Sequence, residues 1–511
     1  MKPLRLVFRT DANQQIGTGH FMRCLTLADE MRRSPADICF VSRALPLHLQ
    51  QMLSEHGVQY IALTEIELTK ETDELPHAEW LKTSQAKDAE QTMAALGAGT
   101  WDWLVVDHYA LDHRFEKHLR AVCQHVMVID DLADRVHDCD VLLDQNFYQD
   151  QALRYLDKVP AHCRLLLGPS FALLRPEFKA MRDKVQVRAG KVNNILVFFG
   201  GVDADNLTGQ VLDVLIKMKL GVEVNVVIGQ QHPQKEMIRQ LCEQHSYNCH
   251  VQTNQMASLM AEADLAIGAG GTAVWERCSV GSPSLCLITA ENQRQQLQEL
   301  QSAGLVNAPT NKENAMTFLS SYLKDLSTSF KSRQVQSQRM MALVDGRGTD
   351  KVANKLKGQA IQMRLAEAKD AQAIFNWRNH PLVRNHSGNT QEIKWEEHHE
   401  WFEQRLSRKI GPILIGEINR QALGVVRFDI SNHAAMVSIY LVPDSGLKGW
   451  GWCLLEQAEN WLRQHHPEVL KLHAQVLPNN EPSKKLFDRL NYNMTASTPQ
   501  LEFVKELEAC I

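Results

Sequence analysis

The sequence predicts an α/β protein built around more than one hydrophobic core, because 511 residues exceed what a single core normally organises. Strand-like apolar runs alternate with helical patterns through the first 310 residues, which is typical of parallel sheets with crossover helices. From about residue 363 the pattern changes to hairpin-like strands followed by a helix. We therefore expect two parallel-sheet halves and then a separate, smaller α/β domain.

Each compartment is predicted from its own set of apolar runs. In the first sheet the strand candidates are residues 4–9, 38–43, 103–108 and 126–131, and in the second they are 195–199, 222–228, 265–267 and 285–288. The third compartment has strand candidates at 413–416, 423–428, 435–442 and 470–476, with a helix at 453–464. The resulting domain boundaries are 1–170, 171–345, a polar connection at 346–362, and 363–511.

Composition narrows the class of protein. A net charge of −5 offers no electrostatic footprint for nucleic acid, and no apolar run has the length of a signal peptide or a membrane span. The 11 cysteines are scattered without a CxxC pair, which favours reduced structural thiols over disulfides or a zinc site. We expect a cytoplasmic protein without nucleic-acid or membrane partners and without a bound metal.

The first candidate site follows the first strand. Gly17 and Gly19 precede His20 at the start of a helical pattern, so the backbone can approach a ligand at a helix N-terminus. The positive end of the helix disfavours a second positive charge, and His20 is therefore a candidate proton acceptor. Taken alone, a histidine at this position is more often a cap or a packing residue.

Polar side chains follow two other strands of the first half. Asp107, His108 and Tyr109 end one strand, and Asp130 and Asp131 end the next. Carboxyl ends of parallel strands meet at one sheet edge, where ligands collect. The alternative is that these residues only cap strand ends and bind water.

Two glycine loops follow strands of the second half. Residues 200–206 and 268–276 can each cradle a diphosphate on backbone amides, and Glu276, one helical turn after Thr272, is placed to hold ribose hydroxyls. Residues 289–293 are predicted to face the same cleft.

These motifs together carry a resemblance. The segments RTDANQQIGTGHFMRCLTLA (9–28), VVDHY (105–109), LLGPSFALLRPEF (166–178), FFGGVDADN (198–206) and GAGGTAVWE (268–276) resemble the UDP-sugar hydrolases of pseudaminic acid biosynthesis, relatives of GT-B glycosyltransferases such as MurG. The resemblance implies a GT-B-like pair of Rossmann-type halves that removes UDP from UDP-2,4-diacetamido-2,4,6-trideoxy-β-L-altrose with inversion. It makes His20 the base, and it assigns substrate contacts to Asp11, Gly17, Gly19, Tyr109, Arg175, Gly271, Thr272, Glu276 and Asn292.

The second candidate site lies in the third compartment. Gly449 and Gly451 stand between a strand and a helix, an arrangement that suits a pyrophosphate but could also serve ATP, NAD or a tight turn. Asn480, Ser483 and Phe487 follow on a second helix as polar and apolar stripes.

Both features together resemble GNAT-family N-acetyltransferases, in particular those that acetylate the 4-amino group of UDP-4-amino-4,6-dideoxy-N-acetyl-β-L-altrosamine. The resemblance implies acetyl-CoA as cosubstrate, held by Leu447, Lys448, Gly449, Gly451, Trp452, Asn480 and Ser483. Gly446 stands where the family has Gln or Arg, and Phe487 stands where it often has a tyrosine acid, so that Tyr492 or a water is left for this role. Asn491 replaces a glycine and also tolerates positive φ.

Aromatic and basic residues early in this domain are candidates for acceptor binding. They are Trp377, Arg378, Asn379, His386, Trp395, His398, His399 and Trp401. An ordinary amphipathic helix face explains the same pattern. His398 and His399 diverge by about 100° on a helix and are not expected to share a metal.

The leading hypothesis is a bifunctional enzyme acting on UDP-sugars in two consecutive steps, with other enzymes of the same sugar pathway as further partners. One alternative is a GT-B glycosyltransferase fused to a protein N-acetyltransferase. Another is a nucleotide-sugar sensor fused to an acetyltransferase.

Overall fold

A computed structural model describes residues 2–13, 15–64, 73–289, 293–326, 330–408, 411–445, 449–496 and 500–507. The chain divides into two compact units. The first, called the N-terminal unit here, comprises residues 5–30 and 37–352, and the second, called the C-terminal unit, comprises 1–4, 31–36 and 353–511.

The first sheet of the N-terminal unit is parallel and has the strand order β3-β2-β1-β4-β5-β6-β7. All four predicted strands are confirmed, and three short strands extend the sheet at its edges. The strands are β1 (Leu4–Thr10), β2 (Ala36–Ser42), β3 (Gln59–Ala62), β4 (Trp101–Asp107), β5 (Cys123–Ile129), β6 (Val141–Asp144) and β7 (Arg164–Leu167). The helices are α1 (Gly19–Met31), α2 (Leu47–Glu55), α3 (Gln85–Leu96), α4 (His113–Leu119) and α5 (Pro176–Arg182).

The second sheet is also parallel, with the order β10-β9-β8-β11-β12, and it confirms the predicted second half. Its strands are β8 (Asn194–Phe198), β9 (Glu223–Ile228), β10 (Asn248–Val251), β11 (Leu265–Ala269) and β12 (Ser284–Leu287). The helices here are α6 (Leu207–Met218), α7 (Lys235–Gln244), α8 (Met256–Glu262), α9 (Ala273–Ser279), α10 (Gln293–Ser302), α11 (Ala315–Lys324), α12 (Phe330–Leu343) and α13 (Gly348–Gln359).

The stretch 346–362, expected to be a polar connection, is largely occupied by helix α13, and the division between the two units falls within it, after Val352. Val352, Ala353 and Leu356 are buried. The polar composition of this stretch concealed these apolar residues, whose spacing places Val352 and Leu356 on one helical face.

The sheet of the C-terminal unit is mixed, with the order β13-β14-β15-β16-β17-β19-β18. Its strands are β13 (Gln362–Leu365), β14 (Ile413–Ile418), β15 (Gln421–Ser431), β16 (Ala434–Leu441), β17 (Lys471–Val476), β18 (Asn493–Ala496) and β19 (Leu501–Glu506). The helices are α14 (Ala371–Asn379), α15 (Pro381–Arg384), α16 (Trp395–Arg408), α17 (Gly451–His465) and α18 (Glu481–Arg489). Across the described ranges of the chain, no helix combines the length and the apolarity that a bilayer crossing requires.

A buried charge cluster lies behind the carboxyl edge of the first sheet. His137 places Nδ1 2.7 Å from Glu116 Oε1 and Nε2 3.8 Å from Asp130 Oδ2, and all three side chains are fully buried. Burial by itself would lower the pKa of His137, but the two carboxylates outweigh it and raise that pKa to about 9. His137 is therefore an imidazolium at neutral pH.

We expect this cluster to make stability depend on pH in the alkaline range. The folded pKa of His137 lies above its unfolded value of about 6.5, so its contribution is complete below pH 6.5 and is lost as pH rises through 9. The difference in unfolding free energy between wild type and His137→Gln should shrink by up to about 3 kcal/mol over that interval. Denaturant unfolding of both proteins across pH 6–10 measures it. Exposed His118→Gln is the control, and a difference that does not change with pH would contradict the assignment.

Candidate functional site

A tight loop delivers the first site from β1 to helix α1. Asn13 Oδ1 accepts hydrogen bonds from the amides of Gln15 and Ile16, both at 2.8 Å, and Gly17 donates to the Asn13 carbonyl. Gly17 has φ +78°, a conformation that a side chain would disfavour. Helix α1 begins two residues later, and its first amides have no acceptor within the helix. The start of helix α1 thus presents these backbone amides as hydrogen-bond donors next to His20.

His20 is held by a buried carboxylate. Its Nδ1 lies 2.6 Å from Oδ1 of Asp107, which is the last residue of β4. Arg23, one helical turn further along α1, donates to both oxygens of Asp107, from Nε at 2.6 Å and Nη2 at 2.7 Å. We call His20, Arg23 and Asp107 the histidine triplet. Sequence reasoning identified His20 and the position of Asp107, but gave no role to Arg23.

The charge state of Asp107 fixes the tautomer of His20. Burial alone would raise the pKa of Asp107, but the Arg23 guanidinium and the His20 imidazole outweigh it and hold that pKa well below its ordinary value. An ionised Asp107 accepts a hydrogen bond from His20 Nδ1, which leaves the lone pair on Nε2. The triplet therefore presents an oriented proton acceptor.

Aromatic rings surround this imidazole. Tyr109 meets the ring of His20 edge to face at 4.6 Å between centroids, and its hydroxyl donates to Asp131 Oδ2 at 3.0 Å. Burial, together with the Asp131 carboxylate, raises the pKa of the Tyr109 phenol well above its ordinary value, so the phenol stays neutral. Trp80 stacks on Tyr109 at 5.5 Å, and His77 lies 4.5 Å from Trp80. The sequence gave no signal for His77 or Trp80, because they lie in an irregular segment.

Asp11 is buried and is not among the residues that line the cleft described below. It is 1% exposed, forms an ion pair with Arg9 at 2.8 Å, and accepts from Ser42 Oγ at 2.7 Å. His108 Nε2 stands 3.2 Å from its other oxygen. Asp11 is thus fully engaged by side chains of its own half, and its expected contact with substrate stays a prediction.

A cavity of about 950 Å³ lies between the two parallel sheets. From the first half it is lined by Gly17, Gly19, Arg23 and Arg175, and from the second half by Gly200, Asp203, Gly229, Gly271, Thr272 and Glu276. His20, Asp107 and Tyr109 are not among its lining residues, whereas Gly19 and Arg23, on either side of His20 in the chain, are. Gly229 approaches the backbone of Gly201 so closely that a Cβ would stand 1.9 Å from the Gly201 carbonyl oxygen. The structure thus brings most of the predicted residues from both halves to one cleft.

The carboxylate predicted to bind ribose is partly paired in the cleft. Arg175 Nη2 donates to Glu276 Oε1 at 3.1 Å, which joins two motifs that are 101 residues apart. Burial raises the pKa of Glu276, and the Arg175 guanidinium offsets this effect only in part. Asn292 lies outside the described residues.

The second site is built where two strands of the C-terminal unit separate. Strands β16 and β17 pair in parallel only from Ala434 to Met436, opposite Lys471 to His473. Beyond Met436 the edge of β16 is left without a ladder partner among the described strands. Such an edge offers backbone donors and acceptors to an extended amide ligand.

The glycine loop lies directly after this strand. Gly449 has φ +88°, and a Cβ on it would meet nothing within 4 Å, so the loop opens onto free space. Helix α17 then starts at Gly451. Leu447, Lys448 and Gly446 lie outside the described residues.

The polar residues on the next helix form a cap. Asn480 Oδ1 accepts from the Ser483 amide at 3.1 Å at the start of α18. Asn491 has φ +62°, so the predicted tolerance of positive φ is confirmed. Tyr492 donates to Glu459 Oε1 at 2.7 Å, and burial raises its pKa well above the ordinary value. A phenol committed in this way is a poor candidate for the acid.

The residues predicted to bind the acceptor divide into core and surface. His398 is 4% exposed and points Nε2 at the Ala371 carbonyl at 3.1 Å, so the ordinary packing explanation applies to it. Asn379 exchanges two hydrogen bonds with Ile393 and ties down the loop before α16. His386 is exposed, and His399 is partly exposed. Trp401 lies beneath Arg405 and Arg427 at 5.9 and 5.6 Å.

Arginines dominate this acceptor region. Arg378 donates from Nη2 to the Asn389 carbonyl, while its buried Nη1 has no hydrogen-bond partner among the described residues. Burial and the nearby guanidiniums of Arg427 and Arg384 lower the pKa of Arg378. Tyr440, on the free part of β16, is close enough to interact electrostatically with Arg378. We call Arg378, Arg384 and Arg427 the arginine cluster.

Within the described ranges, no group of three or more His, Cys, Asp or Glu side chains is arranged to hold a metal ion.

Comparison with known protein families identifies two domains in the chain. Residues 194–345 match the glycosyltransferase family 28 C-terminal domain, and residues 361–493 match the acetyltransferase (GNAT) domain. The GNAT match confirms acetyl-CoA as the cosubstrate of the C-terminal unit.

Two relatives and one solved structure serve as examples of proteins that are similar to the chain. "Uncharacterized protein MJ1062" of Methanocaldococcus jannaschii is 24% identical over 99% of this chain and 100% of its own length. The UDP-2,4-diacetamido-2,4,6-trideoxy-beta-L-altropyranose hydrolase of Campylobacter jejuni is 24% identical over 51% of this chain and 83% of its own. MurG of Acinetobacter baumannii is 15% identical, with a TM-score of 0.49 over 70% of this chain and 99% of that chain. The chain therefore joins an α/β region that carries a glycosyltransferase family 28 C-terminal domain to a GNAT acetyltransferase domain.

Proposed function

We propose that the chain is a bifunctional enzyme that acetylates UDP-4-amino-4,6-dideoxy-N-acetyl-β-L-altrosamine and hydrolyses UDP-2,4-diacetamido-2,4,6-trideoxy-β-L-altropyranose. The observation that carries the proposal is the histidine triplet, whose member Arg23 lines the two-sheet cleft. The similarity to the Campylobacter hydrolase, whose substrate is the second of these sugars, supports it.

In the hydrolytic step, water attacks the anomeric carbon while the bond from this carbon to the UDP oxygen breaks. His20 Nε2 takes the proton of the water, and Asp107 stabilises the imidazolium that forms. The free sugar, UDP and one proton are the products. Attack from the face opposite UDP inverts the anomeric centre.

The leaving diphosphate lies against the glycine loops in this proposal. Gly271 and Thr272 precede α9, Gly200 and Gly201 precede α6, and all four residues line the cavity. Backbone amides of such loops stabilise the charge that develops on UDP. Glu276 accepts hydrogen bonds from ribose hydroxyls, with Arg175 keeping it in place.

In the acetyl transfer, the amine of the acceptor attacks the thioester carbonyl of acetyl-CoA, forming an amide and releasing CoA. The glycine loop at Gly449 receives the pyrophosphate, and the free edge of β16 pairs with the pantetheine amides. Asn480 and Ser483, which build the cap of α18, border the pantetheine arm in this arrangement.

The charge of the acceptor region favours an anionic acceptor. The arginine cluster has three guanidiniums, whereas the carboxylates that pair with it are Asp429, shared with Arg405, and the exposed Glu392. A UDP-sugar carries a diphosphate that satisfies these donors, whereas a cationic polyamine or the amine of a basic peptide would be repelled.

Replacing His20 tests the hydrolytic half. We expect His20→Ala to lower kcat for UDP release by about 10²- to 10⁴-fold with little change in KM, because general base catalysis is worth that much. Asp107→Asn should lower kcat in the same direction, since an amide no longer fixes the tautomer. UDP release measured on the purified full chain gives both values.

The control for this measurement is His162→Gln, an exposed histidine of the same unit. Undiminished UDP release in His20→Ala would remove His20 from the mechanism. No release in the wild type would favour a sensor, and release only after addition of an acceptor would favour a glycosyltransferase.

Replacing Arg378 tests the acceptor. We expect Arg378→Met to raise KM for the UDP-amino sugar by about 10-fold or more, because a charged hydrogen bond is worth about 1.5–3 kcal/mol. KM for acetyl-CoA should stay within twofold of wild type. Acetylation followed by CoA release gives both constants, and Arg420→Met on the exposed turn between β14 and β15 is the matched control. Equal activity of wild type on a cationic amine would contradict an anionic acceptor.

A further inference from the structure

The aromatic segment beside His20 has no role in the proposed hydrolysis so far. Residues 73–84 contain a short helical turn ending at Trp80, and they contact Gln15, after β1, and Tyr109, after β4. Trp80 and His77 are both partly exposed, and Trp80 also stands edge-on to the ring of His20. The two side chains therefore offer a partly exposed aromatic surface to a ligand that binds next to His20.

Three rings, two from this segment and that of Tyr109 two residues after β4, pack against one another beside His20. Trp80 lies almost parallel to Tyr109, at 5.5 Å and 24°, and stands edge-on to His20 at 6.3 Å and 84°. His77 is tilted by 45° against both Trp80 and Tyr109. We call His77, Trp80 and Tyr109 the aromatic wall.

The distances determine what the wall contacts. The rings of Tyr109 and Trp80 lie 4.6 and 6.3 Å from the ring of His20, so they are direct neighbours of the proposed base. A sugar whose anomeric carbon comes within reach of His20 Nε2 thus brings a ring substituent against the aromatic wall. A bare hydroxyl there would lose water without gaining a partner, whereas a flat group with an apolar end would stack.

The polar atoms of the wall narrow the choice of substituent. Burial lowers the pKa of His77, so its ring is neutral and has both a donor and an acceptor nitrogen. The Tyr109 hydroxyl is already committed to Asp131. One apolar face next to one neutral imidazole matches an acetamido group, which has a planar amide and a methyl end.

We infer that the aromatic wall is the recognition site for an N-acetyl group of the sugar, with Trp80 stacking on the amide and His77 hydrogen-bonding to it. The inference rests on the proposed function only in requiring a UDP-sugar in the cleft. It makes Trp80 and His77 specificity residues that act on the sugar, while UDP itself is held by the second half.

Binding to the full chain tests the inference without turnover. Calorimetric titration of a His20→Ala background with UDP, UDP-glucose and UDP-N-acetylglucosamine isolates the acetamido group at carbon 2. The UDP-4-amino sugar and its N-acetylated product isolate the group at carbon 4. In at least one pair we expect the acetamido compound to bind about 10-fold or more tightly, the value of a well-placed methyl group in an apolar pocket.

Trp80→Ala should abolish this preference and leave the Kd of UDP unchanged, and Trp80→Phe should restore most of it. Glu79→Ala is the matched control, because it breaks the 2.8 Å hydrogen bond from Gln15 to this segment without removing a ring. A preference that survives Trp80→Ala in both pairs, or that Glu79→Ala removes equally, overturns the inference. If Trp80→Ala does not fold, Trp80→Phe and His77→Ala are compared instead, and loss of preference in neither overturns it.

Failure of the inference and failure of the proposed function give different results. A wild-type chain that prefers acetamido sugars through Trp80 but releases no UDP refutes the hydrolase and keeps the aromatic wall. A chain that hydrolyses the diacetamido sugar with equal efficiency in wild type and Trp80→Ala keeps the hydrolase and refutes the wall.

Discussion

The buried carboxylate of Asp107 is the constraint on which the first site depends. It lies at the end of β4 with no exposed surface, where an unpaired charge would cost several kcal/mol. Two partners from a single helix, His20 and Arg23, offset that cost. Because both are supplied by the first turns of α1, the helix cannot rotate or slide without leaving Asp107 unpaired. The orientation of the imidazole is thus coupled to the packing of α1 on the sheet.

The charged hydrogen-bond network of Asp107 extends to the neighbouring strand. Arg23 also bonds to Asp131, which accepts from Tyr109, so β4, β5 and α1 share one charged network. Behind it, His137 stays protonated between Glu116 and Asp130. These pairs place alternating charges along the carboxyl edge of the sheet. Ligand groups that approach this edge meet side chains whose protonation states are fixed by burial and pairing rather than by solvent.

The C-terminal unit uses a different device, the early separation of β16 and β17. Three residues of β16 pair with three residues of β17, and the rest of this edge of β16 can pair with a ligand. The glycine loop follows that free edge, while Tyr440 on the same edge adjoins the arginine cluster. An acyl donor and an anionic acceptor would therefore meet along one strand.

Local patterns were sufficient to predict four strands in each parallel sheet, the central strands of the third sheet, and the glycine turns, because apolar periodicity and positive φ are properties of short segments. The short strands β3, β6, β7 and β10 were not predicted. Local patterns also placed His20 at a helix start and Asn491 at a positive φ. They did not reveal the helix that fills 346–362, the partnership of Arg23 with Asp107, the burial of Asp11, or the wall formed by His77 and Trp80. These features depend on contacts between residues far apart in the chain, such as the 84 residues that separate Arg23 from Asp107. The sequence by itself determined which residue types were available at each loop. Only the tertiary structure decided which of them meet, because pairing a buried charge requires a partner brought in by another element.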